Sequence, residues 1–453
     1  MKHERWRAAL ILSAGVVAGV VTTPVGAQTP LPLGPQALAN SVTAGHQDQP
    51  AVAMDANGDF VVVWRDELVD GSGTAIVGRR FSSATGLPLS AQFVVNSTLV
   101  GDQANPAIAM NANGRFVVVW EGPDTTGPVT PGIFASLRAP NGSPIVAEFP
   151  VNTTQAGTQQ RPAVDIQADG RFLITWQDDS VAGFGATGKD IVGRFYPATF
   201  PSVLPGSPVR LNTAVLAGDQ EEPAVVVDPV SGGWYVGWQG PTLPPVAPAV
   251  WVRVLDNAGA GQPEVPLNTS FGSSLRSHVA LSANSLGNAV AVWQDAFANS
   301  IFARELADGL PTGFELQVNL SVDHLNREPA VALDELGNFV TLWIEAIGAL
   351  SGSADATAGS PIVIQGRKKN SGSGFSELFP PPTDAQFPVN SGGADFADPW
   401  IAGREHGSFV AVWQGTDPGD SSGLGIALRR FLDAPFADDF ETADTSRWST
   451  TLP

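Results

Sequence analysis

The groups best equipped for chemistry in this 453-residue chain are carboxylates that follow a recurring tryptophan. Asp66, Glu121, Asp178, Asp295 and Glu345 stand one or two residues beyond Trp64, Trp120, Trp176, Trp293 and Trp343, with Asp70 and Asp179 close by. Carboxylates gathered around one opening can surround a hard cation or accept hydrogen bonds from sugar hydroxyls. The first five are therefore candidate ligand-binding residues, and Asp66, Asp70, Asp178 and Asp179 candidate calcium ligands; a solvated acidic face is the plainer alternative. Asp55-Ala-Asn-Gly-Asp59 also resembles the start of a calcium loop, although its counterparts Asn111 to Arg115 and Gln167 to Arg171 lose most of the acids. No resident cofactor is expected, and calcium is the metal the pattern admits.

Nucleophilic chemistry finds no foothold. The chain has no cysteine, and His46, His278, His324 and His406 sit in no GxSxG or HExxH setting. Sialidase-type catalysis needs a tyrosine with its acid beside an arginine cluster, and only Tyr196 and Tyr235 exist. A pair of distant acids meeting in space, as in a glycosidase, stays open. No residue is therefore assigned a catalytic role from spacing.

These candidates have to be positioned by a repeat. Pro50-Ala-Val-Ala-Met-Asp-Ala-Asn-Gly-Asp-Phe-Val-Val-Val-Trp64 returns as Pro106 to Trp120, Pro162 to Trp176 and Pro223 to Trp238, with weaker copies ending at Trp293, Trp343 and Trp413. Each copy reads as two strands joined by a tight turn at Asn57-Gly58, Asn113-Gly114 or Asp169-Gly170. A third strand follows at Ile76 to Phe81 and its equivalents, and a fourth ends in a recurring asparagine: Asn96, Asn152, Asn212, Asn268, Asn319 and Asn390. Four strands per unit and seven units predict an all-β, seven-bladed propeller.

Seven first, second and third strands face only six fourth strands inside the repeats. Gln36-Ala-Leu-Ala-Asn40 matches Phe93-Val-Val-Asn96 in its asparagine and spacing, so the N-terminal strand is expected to complete the last blade and close the ring. Closing a loop of about 400 residues costs roughly 5 kcal/mol plus a constant. Burial of Leu38 and Leu33 is expected to return about 2 kcal/mol each.

Blades converge on the axis, and the residue after the repeat's first proline is small: Ala51, Ala107, Ala163, Ala224 and Ala330. His278 and Trp400 read as bulky replacements of that alanine, with Asp165 replacing a small residue two places on, and together they outline a candidate axial pocket.

A formal charge of −20 repels nucleic acid and anionic lipid. Residues 1–27 read as a secretory signal, from the basic Lys2, Arg5 and Arg7 through an apolar run to Val25-Gly26-Ala27, and no later segment is apolar enough to span a membrane. Residues 28–434 form the propeller and 435–453 an acidic tail. The chain is expected to be exported to the periplasm, the cell surface or the medium.

The unit PAVAMDANGDFVVVW, followed by IVGRRF and FVVN, resembles units found in tandem in large bacterial surface proteins, including adhesin-like and hemolysin-type calcium-binding proteins. That resemblance implies a propeller fold and surface binding or adhesion. The expected function is thus a non-catalytic binding propeller presenting a polar acidic face to a glycan, protein or cation. A glycan-active hydrolase or lyase on the same face is the alternative, and a structural spacer a third reading.

Overall fold

The computed structural model describes residues 30–432, apart from position 70 and the segments 124–130, 154–155, 181–187, 215–217, 243–247, 270–274, 321, 347–361, 370–385, 392–393, 404–406 and 417–422. The signal segment, Asp70, His406 and the acidic tail lie outside the described residues.

Seven antiparallel sheets form the blades of a propeller, and no helix occurs among the described residues. The innermost strands are β3 (Gln47–Met54), β7 (Ala104–Met110), β11 (Gln159–Ile166), β15 (Glu221–Asp228), β19 (Arg276–Ala283), β23 (Leu325–Leu333) and β27 (Ala394–Gly403). Each touches the innermost strand of the next blade, and β27 returns to β3, so the ring is closed around an axial channel. The second strands, such as β4 (Phe60–Asp66) and β12 (Phe172–Asp178), are buried on both faces because neighbouring blades sandwich them. Their tryptophans are core: Trp64, Trp120, Trp176, Trp238, Trp293, Trp343 and Trp413 are all almost wholly buried.

Closure uses the N-terminus as the repeat arithmetic requires. β1 (Leu31–Pro32) and β2 (Ala37–Leu38) both pair with β29 (Gly425–Leu432), the third strand of blade seven. The residues that secure the joint differ from those expected. Leu33 stays 36% exposed and contributes its backbone N–H to Arg430 O, whereas Ala39 is fully buried and donates to Ile426 O, both at 2.7 Å. Residues 31–35 are all exposed and the chain bends at 33–35, so Leu31 and Leu33 lie on the surface, and Leu38 is only half-buried.

The recurring asparagine is a fixed joint. Its Oδ1 accepts an N–H near the start of the third strand of the same blade: Ile76 donates to Asn96, Ile133 to Asn152 and Ile191 to Asn212, each at 2.8 Å. Asn40 does the same for Ile426 at 3.0 Å, closing the last blade. An arginine from the third strand of the following blade then reaches the carbonyl just before each asparagine. Arg79 reaches Ala39 O, Arg138 Val95 O, Arg194 Val151 O and Arg367 Val318 O, at 2.6 to 3.0 Å. These clasps tie blade to blade in a water-poor setting, where an unpaired carbonyl is costly.

Candidate active site

At one end of the channel each innermost strand carries a bulge just before its proline, or before Val279 in blade five. The residue there has left-handed backbone in all seven blades: Gln49, Asn105, Arg161, Glu222, His278, Glu328 and Asp398, with φ between 49° and 56°. Such a conformation is uncommon for residues other than glycine and costs about 1–3 kcal/mol unless its surroundings enforce it. Here the enforcement is a closed relay of hydrogen bonds. The N–H of each of these residues donates to a side-chain oxygen of the preceding blade.

The acceptor comes from one of two places. In four blades it is the residue after the tryptophan, as in Glu121 to Arg161 N (2.7 Å) and Gln177 to Glu222 N (3.2 Å). In blades one and six that position is Arg65 and Ile344, which cannot accept, and in blade four Gln239 instead bonds Glu221. There the ring residue itself turns to serve the next blade: Gln49 to Asn105 N (2.7 Å), Glu222 to His278 N (2.7 Å) and Glu328 to Asp398 N (3.0 Å). The relay thereby fixes the carboxylates of Glu222 and Glu328 at the channel mouth.

Electrostatics single out Asp398. Burial first, then the neighbouring carboxylates of Glu328 and Asp48, push its carboxyl up to about 7 against the pull of Arg161 and Arg65. Arg65 is itself engaged by Asp48, with Nε to Oδ1 at 2.6 Å. Arg161 and Glu222 belong to blades three and four, across the ring from Asp398 in blade seven. The mouth therefore holds a carboxyl that keeps its proton near neutrality, within electrostatic reach of Glu328, Asp48, Arg161 and Arg65, and Glu222 stands on the opposite side of the ring.

The acids singled out in the sequence sit elsewhere and have structural partners. Asp66 is fully buried, accepts Trp64 Nε1–H at 3.3 Å and Leu68 N–H at 3.2 Å, and is raised in pKa by burial. Asp178 does the same for Trp176 (3.0 Å) and Ser180 N (2.8 Å). Asp295 faces Arg276 at 3.3 Å, Glu345 bonds His324 Nδ1 at 2.8 Å, and Asp179 holds Thr158 Oγ1 at 2.6 Å. Glu121 accepts from Asn105 Nδ2 and Arg161 N, both at 2.7 Å; burial raises its pKa. Gln47, Gln103, Gln159 and Gln220, near the start of four of the innermost strands, are also buried. The first three accept from the asparagines Asn40, Asn96 and Asn152 at 3.0 to 3.1 Å. Among the described residues no cluster of three or more His, Asp or Glu side chains is arranged to hold a metal ion.

His278 needs a correction of register. Ala280, not His278, pairs with Val292 as Ala51 pairs with Val63. His278 therefore occupies the ring position, with no proline after it to mark the alignment. Trp400 does occupy the alanine position, opposite Val412, and Asp165 lies one step deeper opposite Leu173. Asp165 accepts from Val227 N at 2.7 Å and Ile166 N at 2.8 Å, and burial pushes it up to about 6. The pocket expected from these three residues is thus layered along the axis, His278 at the mouth and Trp400 and Asp165 below.

Fold and site together define a seven-bladed β-propeller with a polar, carboxylate-bearing axial mouth. No protein-family model and no curated protein matches the chain. Solved structures similar to it include a protein of unknown function from Dyadobacter fermentans, with 12% identity over 88% of this chain and 98% of that one and a TM-score of 0.48. An α-L-arabinanase from Penicillium chrysogenum, complexed with arabinobiose, shares 11% over 74% and 97%, with a TM-score of 0.47. A Hadza microbial sialidase shares 9% over 83% and 74%, with a TM-score of 0.45. Likeness at this level transfers no residue role. The neighbours also include arabinanases and GH62 arabinofuranosidases at 11–13% identity and TM-scores of 0.33–0.47, a likeness of fold alone. The expectation of a non-catalytic binding or adhesion propeller is withdrawn in favour of the glycan-active alternative, for which the raised carboxyl of the mouth argues.

Proposed function

We propose that this protein is a glycan-active hydrolase whose reaction takes place at the axial mouth. The observation that carries the reading is Asp398, a carboxyl pushed up to about 7 beside Glu328 and within electrostatic reach of Arg161 on the opposite side of the ring. Cleaving a glycosidic bond needs one carboxyl that still holds a proton and a second that is ionised on the other side of the sugar. Asp398 protonates the leaving oxygen. Glu222, whose Oε2 is fixed by His278 N–H, supports attack at the anomeric carbon from the opposite wall. Arg161 is exposed and offers hydrogen bonds to sugar hydroxyls. Export of the chain, read from residues 1–27, would bring the site to polymeric substrates outside the cytoplasm.

The test is release of reducing ends from a panel of plant and bacterial polysaccharides by the chain from residue 28 onward. Asp398→Asn is expected to lower kcat by about 100-fold or more on any polymer that is cleaved. Failure to release product from every polymer tested, by protein shown to be folded, would overturn the reading.

A further inference from the structure

One level below the mouth, each innermost strand presents the residue two places after its ring residue: Ala51, Ala107, Ala163, Ala224, Ala280, Ala330 and, in blade seven, Trp400. All seven occupy the same register, each opposite the residue before the repeat's tryptophan, as in Ala51 to Val63, Ala330 to Leu342 and Trp400 to Val412. The gap between adjacent blades at this level holds little more than an alanine: Ala51 is fully buried, Ala107 and Ala330 nearly so, and Ala163, Ala224 and Ala280 half-buried. An indole cannot occupy such a gap, and Trp400 accordingly keeps 40% of its surface exposed, whereas the repeat tryptophans are almost wholly buried. The rest of the ring therefore lies outside the gap, open to solvent. No described side chain hydrogen-bonds its Nε1–H or stacks on its ring. Leaving an aromatic face open to water forfeits the burial that a tryptophan elsewhere in this fold obtains.

We infer that Trp400 is the stacking platform for a neutral sugar ring held directly beside Asp398, an inference that rests on the glycan-cleaving reading of the mouth. The two residues are separated by Pro399 on one strand, so a ring lying on the indole is next to the carboxyl that would protonate its linkage. A sugar suits this surface because one face of it is rich in C–H groups and its edge carries hydroxyls. The face covers the indole, and the hydroxyls meet Glu328 and Arg161. Neutrality of the sugar follows from charge. With Asp398 protonated, the carboxylates of Glu222 and Glu328 still outnumber Arg161 at the ring, and Arg65 is taken up by Asp48. A uronate or sialate would therefore be repelled from the site.

Binding is measured by calorimetry on the Asp398→Asn protein, which cannot turn over, with neutral hexasaccharides of glucose, xylose, arabinose and mannose, and with tri-galacturonate as the anionic control. At least one neutral hexasaccharide is expected to bind, and tri-galacturonate is not. Adding Trp400→Ala should weaken that binding at least tenfold, while Trp400→Phe should keep most of it. Trp400→Ala installs the residue that six other blades carry, so folding is preserved and a thermal melt verifies it. Equal affinity with and without Trp400, or no binding of any neutral hexasaccharide, overturns the platform. Cleavage by the wild type with KM unchanged in Trp400→Ala would remove the platform and leave the hydrolase standing. Trp400-dependent binding without cleavage would do the reverse.

Discussion

The backbone N–H of Asp398 donates to Glu328 Oε2 at 3.0 Å, so the segment that carries one carboxyl of the mouth also positions its neighbour. Burial is the main reason that the Asp398 carboxyl holds its proton above the usual aspartate range, and this contact adds the negative charge of Glu328 beside it. The pairing gives Asp398 a proton to donate at neutral pH. It also makes the acid's strength adjustable through a second residue.

Glu328→Gln removes that charge while retaining an oxygen to accept from Asp398 N–H. A like charge raises a carboxyl's pKa, so its removal lowers it. The alkaline limb of kcat/KM, expected near pH 7 in the wild type, should move down by about one pH unit. An unmoved limb would show that Glu328 does not set the proton affinity of the catalytic acid.

Asp398 also links stability to pH. Its pKa is raised in the fold, so between about 4 and 7 the native state binds a proton that the unfolded chain has released. Stability contributed by the protonated form is complete below the unfolded value and is lost as pH rises through the folded one. Asp398→Asn should therefore be more stable than wild type at pH 8, by on the order of 3 kcal/mol or less, and show no gain at pH 3.5. Urea melts at the two pH values give the comparison.

The asparagine joints offer a purely structural test. Asn212 is fully buried and accepts Ile191 N–H at 2.8 Å while its Nδ2 donates to Asp190 Oδ1 at 2.9 Å. Asn212→Ala strands the buried Ile191 N–H and takes one donor from Asp190, which keeps Arg210 at 3.8 Å, and a loss of about 1–3 kcal/mol in urea unfolding is expected. A loss no larger than that of Asn57→Ala, an exposed turn position, would contradict the joint.

Starting the chain at Asp48 removes β1, β2, Ala39 and Asn40, and with them the bonds to Arg430 O, Ile426 O and Ile426 N and the carbonyl clasped by Arg79. Four hydrogen bonds at about 1 kcal/mol each make the expected cost on the order of 4 kcal/mol. A melting temperature equal to that of the chain from residue 28 would mean that the N-terminal strands do not secure the ring.

Asp66→Ala should lower the melting temperature by the same amount with and without millimolar calcium, because its carboxylate serves Trp64 and Leu68. A calcium-dependent gain in the wild type that disappears in the variant would restore Asp66 as a metal ligand.

Blade number, strand order and ring closure were legible because each rests on a pattern repeated along the chain, with Trp64 and Asn96 as its most regular marks. The mouth was harder to see. Its seven residues differ in type, from Gln49 to Asp398, and what unites them is backbone geometry. One signal was available: a polar residue stands before the proline in six copies, where a strand buried on both faces should be apolar. In the fifth copy Val279 replaces the proline, and without that mark His278 was read two places out of register. The acids after the tryptophans looked functional because sequence shows charge but not partners. Asp66 and Asp178 are consumed by indole N–H groups that only the packed structure reveals.

Leu31 and Leu432 face one another across an antiparallel pairing, so the two ends of the ring lie side by side in blade seven. A short hairpin would connect them, and new ends opened between Asn212 and Gln220 would fall between blades three and four. Every clasp, asparagine joint and relay bond described here links spatial neighbours, whatever the order in which the chain visits them. A circular permutant made this way should assemble the same mouth, with Asp398 and Trp400 now near the middle of the sequence. The axial mouth thus belongs to the closed circle of blades, and the point at which the polypeptide begins is free to vary.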